Sequence, residues 1–171
     1  TQISTLHFPE VSLPDGTTFD DRRLRRSSVL WLIDGALHAD PSPELLLSMV
    51  PHRDMAVIKP PRSKADQDGS KFGTLPIYQA SNPSDPANAA ARLRRIEIAF
   101  PVRGARRTHT PLFFANGRDF SPITHSAVDR ILGHLLRLHL PASAASRYSF
   151  HSFRIGFACS LLAAGCPPDM I

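Results

Sequence analysis

The chain predicts an α+β fold, mostly helical, with one small antiparallel β-sheet, and three observations carry that expectation. Residues 55–61 (MAVIKPP) and 74–79 (TLPIYQ) read as two strands joined by the polar run RSKADQDGSKFG, which makes a hairpin of about 55–79. Three stretches, 87–100, 121–140 and the one that ends at Gly165, carry apolar residues at helical spacing. Clusters of Pro, Gly, Ser and Asp separate these elements and give the turns their chemistry.

In chain order, residues 1–21 are mixed, with a turn in LPDGTTFDD. The basic cluster RRLRR at 22–26 leads into Val29-Leu30-Trp31-Leu32-Ile33, a β-like run closed by Asp34-Gly35. Ser42 and Pro43 open a short helix in PSPELLLSMV, serine as cap and proline in the first turn. The hairpin follows, its two strands expected at the centre of the sheet. ANAAARLRRIEIAF predicts a helix whose core stripe is Ala89, Leu93, Ile96 and Phe100. VRGARRTHTP reads as a basic loop, and LFFANGRDF as a short apolar stretch with an Asn-Gly turn. The helix of 121–140 presents Val128, Ile131, Leu132, Leu135, Leu136 and Leu138, and PASAASRYS is a connector. In the last helix Phe153, Phe157 and Leu161 recur at steps of four, with Gly165 as the stop and Pro167-Pro168 barring continuation.

At 171 residues the chain has the length of one domain, 1–171, able to bury a single core. Its apolar content of 42% excludes wholesale disorder. No run approaches the ~18 apolar residues of a membrane span, so no membrane partner is expected. The two cysteines, Cys159 and Cys166, make neither a disulfide framework nor a metal-ligand pattern, which favours an intracellular, reducing setting. The formal net charge is +5, and 17 of the 20 basic residues are arginine. Arginine's planar fork matches phosphate oxygens bidentately, so the balance is compatible with a nucleic-acid partner.

Two places could carry chemistry. His151 and Arg154 stand three apart where a polar lead-in becomes an apolar helix. Free N–H groups and the positive end of the helix dipole favour an anion there; the alternative is a capped structural helix. His134 and Arg137 repeat the spacing in mid-helix between leucines, and read as surface residues. Lys64 follows Arg62 and Ser63 at the hairpin tip, either as a proton donor to a leaving alkoxide or as a solvated turn lysine.

Together these residues resemble the tyrosine recombinases, the phage-integrase family. The run from His151 through Ser152, Phe153 and Arg154 to Gly165 is similar to the family's His-x-x-Arg helix. PRSKADQDG resembles its β-hairpin with the catalytic lysine, which falls on Lys64, and is similar to that of recombinases borne on eukaryotic mobile elements. TPLFFANGRDFSPITHSAVDRIL resembles the intervening segment, so the likeness covers about 55–171. The resemblance implies a DNA strand transferase working through a 3′-phosphotyrosyl link, without metal, ATP or other cofactor. It implies Arg154 as the second arginine, His151 as a donor to the phosphate oxygens and Lys64 as the acid on the departing 5′-oxygen. The partner implied is double-stranded DNA, with other recombinase protomers on it and, in a eukaryote, a nuclear location. Arg62, Ser63, Lys71, Arg103, Arg106, Arg107 and Arg147 are the further candidates for phosphate or backbone contact.

The chain departs from the family at three points. In LHFPEVS, Glu10 aligns with the acid that follows the first arginine, and His7 stands where that arginine belongs. The rival placement, LRRSSVL, offers Arg25 but has Ser28 in place of the acid. Tyr78 and Tyr148 both precede the His-x-x-Arg helix, whereas the family's nucleophile follows it, and the amino-terminal clamp domain is missing. Residues 1–171 alone are therefore expected not to cleave DNA. A type IB topoisomerase-like domain, a non-catalytic DNA-binding remnant and a helical protein-interaction domain are the alternatives.

Overall fold

The computed structural model describes residues 13, 15–20, 22–61, 73–82, 84–85 and 88–167, with backbone alone for 150, 151, 153, 154 and 157. The described residues form an α+β structure with a four-stranded antiparallel sheet and five α-helices. None of those helices is long and apolar enough to cross a membrane. Contacts divide the chain into two compact units, Asp20–Ser121 and a second built from Thr1–Phe19 with Pro122–Ile171.

In the first unit β1 (Val29–Ile33) turns into β2 (Ala36–His38) through Asp34 and Gly35. Both turn residues have positive φ, 50° and 78°, the tight hairpin geometry that Asp-Gly adopts cheaply. Next come α1 (Pro43–Leu47), β3 (Met55–Ile58), β4 (Leu75–Tyr78) and α2 (Ala89–Ala99). The sheet order is β2-β1-β3-β4, so β1 and β3 are central and β4 is an edge. That corrects the expected position of the hairpin: β1 takes the other side of β3, because Val29, Trp31 and Ile33 alternate inward and need a partner strand. Trp31, the chain's single tryptophan, is fully buried opposite Ala56.

The caps are those the residue types call for. Ser42 Oγ accepts the Leu45 N–H at α1, and Asn88 Oδ1 accepts the Ala91 N–H at α2. Helix α2 lies against α1, β3 and β4, burying Ala90, Ala91 and Leu93. Its inward face differs from the expected stripe. Ala89 and Phe100 are exposed, and Glu97 is buried in their stead, for a reason given below.

The second unit holds α3 (His125–His139), α4 (Ala142–Ala145) and α5 (Phe150–Ala163). Thr124 caps α3 by accepting the Ala127 N–H, and Leu13 is tied alongside through Ile123 O and His125 N. Of the six apolar residues expected to pack from this helix, Leu132 is buried whereas Ile131, Leu135 and Leu138 are half-exposed or more. Residues 121 and 122 belong to a short strand β6 (Ser121–Pro122) paired with β5 (Phe114–Asn116) rather than to the helix, which starts after its cap at Thr124.

A carboxylate organises the approach to β3. Asp54, 1% exposed, accepts the Val50 N–H at 2.7 Å, the Asp34 N–H at 3.2 Å and the Arg53 guanidinium at 2.8 and 3.1 Å. The Arg53 bond first, and then the two backbone donors, hold its pKa at about 2 against the opposing effect of burial. Because this pKa is depressed in the folded state, its stabilisation is full above the ordinary carboxylate range and fades as pH falls towards 2. Asp54→Asn should therefore cost about 1–3 kcal/mol at neutral pH. Urea melts should show that difference shrinking below pH 4, and a constant difference down to pH 2 would contradict the role.

Candidate functional site

Two arginine-rich segments of the first unit run side by side. Residues 24–26 pair with 110–112: Arg26 N–H donates to Thr110 O and Leu112 N–H to Leu24 O, both at 2.9 Å. The first leads through a 3₁₀ turn, Arg26–Ser28, into β1; the second follows a 3₁₀ helix, Gly104–Thr108. In each, one arginine points inward. Arg26 is 0% and Arg107 3% exposed, and both meet the buried Glu97 of α2.

The Arg107 fork grips that carboxylate bidentately, Nη1 to Oε2 at 3.0 Å and Nη2 to Oε1 at 2.9 Å. Arg26 Nη1 lies 3.2 Å from Glu97 Oε2. Arg107 also donates to Val102 O and Arg26 O, and Arg26 Nη2 to Phe100 O, which places cations where α2 ends. The Arg26 guanidinium sits 5.4 Å over the Phe114 ring, itself edge-on to Phe100 and Phe120. Burial pushes the Arg26 pKa down, Glu97 pulls it up, and Arg107 adds to the lowering. Asp40 adds a second anion: it is 3.9 Å from Arg107 Nη1 and 2.7 Å from Arg103 Nη1, and accepts the Gly104 N–H at 2.8 Å. Burial would raise the Asp40 pKa, but the Gly104 N–H and Arg103 hold it below its ordinary value.

This network reassigns two of the candidates for phosphate contact. Arg107 is a core residue with its fork filled by Glu97, so it lacks the exposure such contact requires. Arg103 is partly exposed, but bonds Asp40 and the Pro41 carbonyl. Arg106 is exposed between them, and Arg147 is exposed beyond α4. Arg25, the rival first arginine, is half-buried and donates to Thr108 O at 3.2 Å. Nothing in the sequence separated Arg106 from Arg107. The signal that existed was Glu97, an acid four positions after Leu93 on the inward face of α2.

The hairpin strands pair in register from Met55–Tyr78 to Ile58–Leu75. Arg62, Ser63, Lys64 and Lys71 lie on their connection and outside the described residues, as do His7 and Glu10. In the second unit Ser149 caps α5, its N–H donating to Ser152 Oγ at 3.1 Å. His151 and Arg154 are thus the second and fifth residues of that helix. Beside the cap, a cleft of about 400 Å³ is lined by Leu132, Leu136, Arg137, Ala145, Tyr148 and Ser149, among others. Among the described residues no cluster of His, Cys, Asp or Glu could hold a metal ion.

Comparisons with protein-family models, curated proteins and solved structures give no match to this chain.

Removing one member of the buried triad should be far costlier than trimming its exposed arm. Glu97→Gln strands two buried guanidinium groups and should cost about 3–5 kcal/mol in urea unfolding. Asp40→Asn, at a partly exposed pair, should cost about 1 kcal/mol or less. Equal losses would contradict the network.

Proposed function

We propose that the chain is the DNA-binding core of a tyrosine-type site-specific recombinase, whose complete protein cuts and rejoins duplex DNA through a 3′-phosphotyrosyl link. The observation that carries this reading is the start of α5, a serine-capped helix with His151 in its first turn and Arg154 one turn later. Backbone N–H groups left free at a helix start, and the dipole behind them, favour an anion. A histidine and a planar guanidinium added there suit the non-bridging oxygens of a phosphodiester.

The β3–β4 register supports the same reading, because it makes residues 59–74 the connection of an antiparallel hairpin. In this reading Lys64, on that connection, protonates the departing 5′-oxygen. His7 with Glu10 occupies the first-arginine position, with Arg25 as its alternative. The reaction needs neither metal nor nucleotide, since the energy of the cleaved bond is kept in the phosphotyrosyl link. Other protomers would share the DNA, in the nucleus where the host is eukaryotic.

A second reading is a DNA-binding module that holds the phosphate without cutting, since the serine-capped start of α5 suits an anion whether or not a bond is broken there.

Both readings require phosphate contacts. The affinity of the chain for duplex DNA should fall with salt at a log–log slope of about −0.9 per contact, and a flat response would sink both. Arg154→Ala should weaken binding to all duplexes alike and reduce that slope by about 1. A changed sequence preference at unchanged affinity would contradict a phosphate role for Arg154.

A further inference from the structure

Between them, residues 22–28 and 103–112 hold seven arginines and no carboxylate. The structure sorts those arginines. Arg26 and Arg107 turn inward to Glu97, Arg103 pairs with Asp40, and Arg23 is 3.7 Å from Asp20. Arg22, Arg25 and Arg106 remain, none with an ion-pair partner among the described residues. Leu24 and Arg26 are inward and nearly inaccessible, so the extended backbone directs Arg25 to the opposite side. Its guanidinium reaches the Thr108 carbonyl, two residues from the exposed Arg106.

We propose that Arg25 and Arg106, with the exposed Arg22 three residues earlier in the chain, form an outward seam on the first unit that docks the sugar-phosphate backbone of duplex DNA, which makes Arg25 a backbone anchor rather than the first arginine. The inference rests on the DNA reading above and adds a second, sequence-independent anchor to it. A solvated protein surface ordinarily intersperses both signs of charge, which an array of arginines without ion-pair partners among the described residues does not. The seam is also stiff. Arg25 lies between the backbone bonds of Arg26 to Thr110 and of Leu112 to Leu24, and Arg106 is next to the anchored Arg107. Donors held in place by their neighbours lose less freedom on meeting a phosphate than free lysines would.

The test is a fluorescence-anisotropy salt series on the full chain with a random-sequence duplex. The variant combines Arg22→Gln, Arg25→Gln and Arg106→Gln, which keeps much of each side-chain stem. Its affinity should fall at least about tenfold near 100 mM salt, and the slope should lose about 0.9 for each contact removed. Its thermal midpoint should stay close to that of the unchanged chain. Arg92→Gln with Arg95→Gln, on α2, is the control for net charge and should have a smaller effect. If the triple variant is unstable, Arg106→Glu alone serves, since Arg106 is exposed and should lower the affinity without moving the midpoint. Wild-type binding with an unchanged slope in the triple variant would overturn the seam and leave the DNA reading standing. Failure of the unchanged chain to bind duplex at low salt would overturn that reading itself. Tighter binding to single-stranded RNA than to duplex would also reject the seam as a DNA dock.

Discussion

Three ionised side chains sealed inside one small unit, Arg26, Glu97 and Arg107, set the constraint on which the rest of that unit depends. Taking charges out of water is expensive, and the geometry offsets the cost by giving both Glu97 oxygens a guanidinium donor. The three come from separated parts of the chain: Arg26 at the entry to β1, Glu97 near the end of α2, and Arg107 in the 3₁₀ helix beyond it. Their meeting fixes where β1 starts relative to α2. Since β1 carries Val29, Trp31 and Ile33 inward, it also fixes the face on which the sheet builds its core. The same bonds leave Arg25 and Arg106 turned the other way. Core and surface arginines are therefore consequences of one arrangement.

Much of the fold was legible in the sequence because local chemistry decided it. Asp34-Gly35 makes a two-residue hairpin loop, Ser42-Pro43 starts a helix, and Gly165 takes φ +82° just past α5, each by the backbone preferences of those residue types. The alternation of Val29, Trp31 and Ile33 is likewise a direct statement about which side is buried. What was not legible came from distant partners. Sequence order put the hairpin of 55–79 at the centre of the sheet, whereas β1 pairs on the far side of β3. Spacing alone gave α2 the stripe Ala89, Leu93, Ile96 and Phe100. The true inward face includes Glu97, because an ion pair with residues 26 and 107 outweighs the hydrophobic pattern. Residues 104–108, read as a loop, form a 3₁₀ helix whose Arg107 is anchored from inside.

The elements that flank the candidate residues were legible in a different sense. His151 and Arg154 were read as opening a helix, and α5 begins at Phe150 with Ser149 as cap. Lys64 was read on a hairpin connection, and β3 and β4 pair on either side of it. Among the basic residues, by contrast, charge carried no information about direction. Arg106 and Arg107 are adjacent and identical in type, yet one faces solvent and the other the core. Only the position of Glu97 separates them.

The central proposal is that this chain binds duplex DNA, with the start of α5 and the β3–β4 connection each taking part. Hydrogen exchange of the full chain, with and without a saturating duplex DNA, tests it most directly, since exchange reads both segments at once. The account predicts slowed exchange over residues 149–154 and 59–74. Protection confined to other segments, with these two unchanged while DNA is bound, would contradict it.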